Sequence, residues 1–254
     1  MEKGFISSVP RIDRVSLRDV KHKGILTIAE ASKLFQHKNW TDDRARIICM
    51  LASCTGMRAG ELLALQIKDF HITENGKAYI DINRSWNRAE NKMNKTTKTG
   101  KARRVVIPDR MRMEIEFLIK KNPHIEKEGE SAFIFFAQDL SDKPFRHEKI
   151  TDFFHDALEV SGIKEAERRN ITFHSWRYFF NSILINSKIP IQKVQSVTGH
   201  TTLEMSQHYY VSSIEDMSDI RQIQDDSLRN CFVYNGLVSG CEAKKLTKNT
   251  DLLL

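Results

Sequence analysis

This chain of 254 residues predicts an α+β fold, mainly α-helical with a small antiparallel β-sheet. Three observations carry that prediction. Apolar residues recur at helical spacing over most of the length, and several of these runs open at a capping residue and stop at a glycine. The period changes to strand-like alternation only between Gly76 and Pro108. With 40% hydrophobic and 29% charged residues, the composition is that of a globular protein large enough for one big domain or two small ones.

Taken in order, residues 1–23 carry Arg11, Arg14, Arg18, Lys21, His22 and Lys23 with little apolar periodicity. They read as a basic linker or arm, and equally well as a solvated terminus. After Gly24, Thr27 and Glu30 make a capping box for a helix that places Ile28, Ala31, Leu34 and Phe35 on one face. A second helix is expected from about Asp42 to Cys54, with Ala45, Ile48, Cys49 and Ala52 facing inward and Gly56 as its stop. Ala78 to Ile82 and Arg103 to Ile107 read as two strands, joined by a basic hairpin turn that holds Lys92, Lys95, Lys98 and Lys101. Pro108 and Asp109 open a helix with Met111, Ile115, Leu118 and Ile119 inward, ending near Asn122 and Pro123. Ile125 to Ser131 is expected to be a charged loop, and Phe133 to Phe136 a short buried run. Further helices are expected from His147 to Ser161, ended by Gly162, and from Ser175 to Asn186. Ile214 to Leu228 reads as a polar, weakly amphipathic helix better suited to an interface than to a core, and residues 235–254 as a polar tail.

The balance of 40 Lys and Arg against 33 Asp and Glu gives a net charge of +7 and a pI near 9.2, which favours a polyanionic partner only weakly. Cys49, Cys54, Cys231 and Cys241 form no CxxC pair and have no histidine at ligand spacing, so neither a zinc site nor a disulfide framework is indicated. A reducing, cytoplasmic setting suits them. Met1 is followed by no apolar signal core, and no run approaches the ~18 apolar residues of a membrane span.

The chemistry concentrates between Thr172 and Tyr210, where His174, Arg177, His200, Tyr209 and Tyr210 lie among apolar segments. Guanidinium groups bind phosphate oxygens bidentately, and imidazoles donate further hydrogen bonds to a phosphorane. A phenol, with a pKa of about 10 in water, becomes a nucleophile when a cationic pocket or a base stabilises its anion. Taken singly, a His-x-x-Arg pair is more often a surface or capping pair, and neighbouring tyrosines near a helix end are more often packing groups. Two further parts match. Arg58, at the junction of two helices, has Glu61 three residues on, either as a local salt bridge or as a carboxylate that orients the guanidinium toward a phosphate. Lys98, within Thr97, Lys98, Thr99 and Gly100, sits where a hairpin tip reaches a phosphate or protonates an alkoxide; the plain alternative is a solvated charge run.

With Thr55-Gly-Met-Arg-Ala-Gly-Glu61, Thr97-Lys-Thr-Gly100, His174-Ser-Trp-Arg177, Thr198-Gly-His200 and Tyr209 in this order, the chain resembles the catalytic domain of the tyrosine recombinases, the phage integrase family. The resemblance covers residues 24–215, with residues 216–254 as a C-terminal helix and tail. It implies a site-specific recombinase that cleaves and rejoins double-stranded DNA through a 3′-phosphotyrosyl bond, without metal or other cofactor. By the same resemblance Tyr209 is the nucleophile, Arg58 and Arg177 clamp the non-bridging oxygens, and Lys98 protonates the leaving oxygen. His174 handles protons and His200 hydrogen-bonds the phosphate. On chemistry alone Tyr210 serves as well as Tyr209, and only the family spacing from His200 selects Tyr209. Trp176 and Tyr178 depart from the family's usual Leu and His at those positions. The family also carries a helical core-binding domain ahead of the catalytic one, whereas about twenty residues precede the first helix here. A homotetramer on DNA, with the C-terminal helix packing into a neighbouring subunit, is the expected assembly; the same helix folded back on its own domain is the alternative. A relaxing type IB topoisomerase, a catalytically idle DNA-binding module and a metal-dependent phosphoesterase using the histidines are the competing readings.

Overall fold

The computed structural model describes residues 24–97, 100–163, 166, 169–187, 189–198 and 218–231. At its centre lies α2 (Asp43–Thr55). The Asp42 side chain caps it by accepting from the backbone N–H groups of Arg44 and Ala45, and Gly56 ends it in the left-handed region at φ 64°. Every residue from Ala45 to Thr55 is buried. The sequence pattern marks one inward face, but a helix wrapped on all sides has no solvent face. Each buried Ile, Leu or Met side chain there contributes about 1.5–3 kcal/mol.

Against α2 pack α3 (Ala59–Leu63), α4 (Asp109–Lys121), α6 (His147–Val160) and α7 (Ser175–Asn186); the described chain also forms α1 (Ile28–Leu34) and the short α5 (Ile125–Glu128) and α8 (Ile191–Thr198). The expected capping box at Thr27 and Glu30 is present. Trp176 of α7 is fully buried, stacked on Phe35 with ring centroids 4.8 Å apart and edge-on to Phe154 at 5.9 Å. Trp176 is therefore a packing residue of the core. The segment from Ile125 to Ser131 is helical rather than a loop, because α5 runs straight into a 3-10 turn at Gly129–Ser131.

Three strands form the main sheet: β1 (Phe70–Ile72), β2 (Ala78–Ile82) and β5 (Arg103–Ile107), in the order β1-β2-β5 and antiparallel throughout. Ala78, Ile80 and Ile82 point into the core, opposite Ile107, Val105 and Arg103. Between β2 and β5 the sequence reading needs correction. The lysine-rich connection is not one turn but contains a second antiparallel pair, β3 (Ser85–Asn87) with β4 (Lys92–Asn94). Trp86 is the buried residue that stabilises this pair: it packs edge-on against Phe133, 5.8 Å between centroids.

The last described helix, α9 (Ser218–Cys231), lies on α1, α2, α7 and β5 of its own chain. Ile220, Gln224 and Leu228 are buried, and Gln224 Nε2 donates to the carbonyls of Cys54 at 2.6 Å and Val106 at 3.2 Å. Its polar look in sequence reflects the outward positions.

Candidate active site

Arg58 sits at the start of α3, where the chain leaves the left-handed Gly56 and turns into the next helix. That turn is tightly enclosed. A Cβ on Gly56 would come within 2.7 Å of Phe180 Cδ1, and one on Gly60 within 2.9 Å of the Trp86 carbonyl oxygen. Glu61, one turn along, is 2% exposed, and its carboxylate binds the Arg58 backbone N–H at 2.9 Å and Arg58 Nη1 at 3.1 Å. The ion pair expected from the spacing is therefore present. Among the described residues, Arg58 Nε and Nη2 have no hydrogen-bond partner, and its side chain is 24% exposed.

Arg177 enters from α7 and is 4% exposed. Nη1 donates to the Gly56 carbonyl at 2.5 Å, and Nη2 to the Thr198 carbonyl. The second arginine therefore grips the turn that presents the first, and also the C-terminal end of α8, the element leading to Gly199 and His200. Burial lowers the Arg177 pKa, the Arg58 cation lowers it further, and the Glu61 carboxylate partly restores it; the result is about 10, so Arg177 stays charged at neutral pH. The effect of the Arg58 cation on Arg177 puts the two guanidinium groups in one electrostatic neighbourhood.

A third cation completes the cluster. Arg103, the first residue of β5, donates Nη1 and Nη2 to Glu61 Oε1 and Oε2 at 3.0 and 2.7 Å, and Nε to the Val197 carbonyl at 2.9 Å. Burial alone would raise the Glu61 pKa, but Arg103, and after it Arg58, outweigh that and hold the carboxyl below its ordinary 4.5. The sequence reading missed Arg103, taking it only as the start of a strand. A signal was there: in the alternation from Arg103 to Ile107, positions 103, 105 and 107 share the inward face, and a charge at an inward position must be paired.

His174, just ahead of α7, is exposed, with its ring edge-on to Tyr178 at 5.4 Å. Tyr178, at 43% exposure, thus stands at the rim beside the imidazole rather than in the core. The residues flanking Lys98 close a turn, with Gly100 N–H donating to the Thr97 carbonyl at 3.0 Å and Thr97 Oγ1 to the Lys101 carbonyl at 2.8 Å. Lys98, His200, Tyr209 and Tyr210 lie outside the described residues. Among those that are described, no group of three or more His, Cys, Asp or Glu side chains is placed to hold a metal ion.

A separate groove of about 540 Å³ opens between the β3–β4 pair and the start of α6. Trp86, Arg88, Lys143, Arg146, His147 and Lys149 are among the side chains that line it. Burial and the Arg88 cation push the His147 pKa below its ordinary 6.5, against a smaller opposing effect of Glu148.

Arg58 and Arg103 thus share the Glu61 carboxylate, and Arg177 lies within electrostatic reach of both Arg58 and Glu61. The phage integrase family model matches residues 23–215, and the chain belongs to that family. It is 27% identical over 183 residues to an integrase of Staphylococcus phage L54a, a match covering 65% of this chain and 49% of the relative, so the chain spans about half that relative's length. Among solved structures, the integrase of transposon Tn1549 bound to transposon right-end DNA aligns with a TM-score of 0.59 at 19% identity, over 79% of this chain and 65% of the other. The XerH site-specific recombinase bound to its difH substrate aligns with a TM-score of 0.56 at 20% identity, over 82% and 56%. These structures share the mainly helical fold with its small antiparallel sheet. No helix among the described residues is long and apolar enough to cross a membrane.

Proposed function

We propose that the chain is the catalytic part of a site-specific DNA recombinase that cleaves and rejoins double-stranded DNA through a 3′-phosphotyrosyl intermediate. The observation that carries this reading is that Arg58 and Arg103 share the buried carboxylate of Glu61, with Arg177 within electrostatic reach of both Arg58 and Glu61. The surplus positive charge costs free energy while the site is empty, and a phosphodiester relieves that cost, more so as negative charge builds on the non-bridging oxygens in the transition state.

In this scheme the Tyr209 phenolate attacks the phosphorus in line, the 5′-oxygen leaves with a proton from Lys98, and the phosphodiester is exchanged for a phosphotyrosyl ester. Arg58 and Arg177 hold the non-bridging oxygens, His174 handles the proton of the phenol, and His200 hydrogen-bonds the phosphate. Attack by a 5′-hydroxyl of another strand reverses the step with no external energy source. The groove of Arg88, Lys143, Arg146 and Lys149 supports a duplex as the partner, and the solved relatives in complex with DNA favour the same. Residues 24–215 form the catalytic domain in this reading, residues 1–23 a basic arm, and the working assembly is a homotetramer on DNA in the cytoplasm.

The test uses the whole chain and a library of nicked duplexes with randomised sequence around the nick, in EDTA. The expected result is a denaturation-resistant protein–DNA adduct that Tyr209→Phe abolishes while duplex binding persists. An adduct that survives in Tyr209→Phe and is lost in Tyr210→Phe moves the nucleophile by one residue. No adduct from the native chain, with free duplex binding, overturns the enzymatic reading.

A further inference from the structure

Glu61 has four acceptor positions on its two oxygens, and all four are filled. Oε1 accepts from Arg58 Nη1 at 3.1 Å and Arg103 Nη1 at 3.0 Å. Oε2 accepts from the Arg58 backbone N–H at 2.9 Å and Arg103 Nη2 at 2.7 Å. A carboxylate offers about four such positions and no more. A buried arginine and carboxylate otherwise adopt the two-bond, fork-to-fork arrangement, the strongest pairing open to them. Here Arg103 takes that arrangement, and Arg58 is left with a single side-chain bond. The remaining edge of Arg58 is consequently not drawn onto Glu61.

Arg103 is also tied elsewhere. Its Nε donates to Val197, one residue before the Thr198 carbonyl that accepts from Arg177. It is the first residue of β5, three residues after Gly100. One side chain on β5 thus joins the Arg58 turn to the end of α8 that Arg177 grips.

We infer that Arg103 is a positioning residue for strand cleavage: by occupying the strong edge of Glu61 it keeps the Arg58 guanidinium turned toward the phosphate, and by binding Val197 it holds the two arginine-bearing segments in register. This inference rests on the recombinase reading. Arg103 does not itself touch the phosphate. With it removed, Glu61 keeps Arg58, on its own helix start, as its hydrogen-bonded cation, with Arg177 of α7 in electrostatic reach. Arg58 then swings into the vacated two-bond arrangement and leaves the phosphate. Neutralising Glu61 by substitution releases it.

The test measures adduct formation at saturating nicked duplex, with DNA affinity and thermal melting recorded for each variant. Arg103→Met is expected to slow cleavage about 100-fold at pH 8, the scale of a misplaced catalytic group, while duplex affinity changes less than threefold. Glu61→Gln added to Arg103→Met should recover at least a tenfold rate. Arg103→Lys keeps the charge without the fork, so its rate should fall between the native chain and Arg103→Met; it serves as the probe if Arg103→Met fails to fold. A folded Arg103 variant cleaving within twofold of the native chain overturns the inference. So does a loss that Glu61→Gln does not relieve, which would make Arg103 a fold-stabilising residue only. A native chain that forms no adduct fails the recombinase reading itself, a different result from either of these.

Discussion

Gly56 joins backbone, core and site in one atom's worth of space, so Gly56→Ala has a magnitude that follows from geometry. Its φ of 64° lies in the left-handed region, where a Cβ costs about 1 kcal/mol. The same Cβ would stand 2.7 Å from Phe180 Cδ1, and Phe180, 2% exposed, has nowhere to go, which adds about 1–3 kcal/mol of overpacking. The sum, about 2–4 kcal/mol, corresponds to a fall in melting temperature of about 4–16 °C for a domain of this size. The two parts separate in a double-mutant cycle. Phe180→Leu should remove the clash but not the backbone penalty, giving a coupling energy of about 1–3 kcal/mol between the two sites. Because the Gly56 carbonyl is an anchor of Arg177, cleavage by Gly56→Ala at a temperature where it is still folded should fall at least tenfold. Thermal denaturation followed by circular dichroism, together with the adduct assay, checks both statements. A variant melting within 1 °C of the native chain, or a purely additive cycle, would refute this account of the turn.

Other perturbations have equally definite outcomes. Glu61→Gln keeps the shape but leaves the largely buried Arg103 without a counter-charge, so stability should drop by about 3 kcal/mol, or about 6–12 °C in calorimetry. Burial opposes ionisation of Glu61, but Arg103 and Arg58 outweigh it, so the native carboxyl titrates below the ordinary 4.5; the gap between native and Glu61→Gln should be constant above pH 4.5 and close as the pH falls through the lower native value. Arg146→Gln with Lys149→Gln, in the groove beside β3, should weaken duplex binding and lower the slope of log affinity against log salt by about 1 for each phosphate that the two side chains no longer neutralise, as read by fluorescence anisotropy. Gln224→Leu removes the donor shared by the Cys54 and Val106 carbonyls and should cost about 1–3 kcal/mol in urea unfolding.

What could be read from the sequence divides along physical lines. Helices with local signals were legible: the Thr27 and Glu30 box, the Asp42 start and Gly56 stop of α2, and the Pro108 opening of α4 all form as written. The β3–β4 pair was not, because three-residue strands carry almost no alternation and Trp86 is stabilised by Phe133, far along the chain. The all-round burial of α2 was equally hidden, since it depends on how many elements surround the helix. In the site, the pairing of Arg58 with Glu61 followed from a spacing of three on a helix start, whereas the tie between Arg103 and Glu61 spans two separate elements and left only its inward phase on β5 as a trace. The anchoring of Arg177 on Gly56 and Thr198 is likewise a tertiary event, made by carbonyls whose direction no residue type announces.

The central claim is that these arginines serve a tyrosine that bonds to DNA. Digesting the adduct with nuclease and protease and sequencing the modified peptide by mass spectrometry tests it most directly. The account predicts a nucleotide joined through its 3′-phosphate to Tyr209; a nucleotide on a serine, on a histidine, or joined through a 5′-phosphate would contradict it.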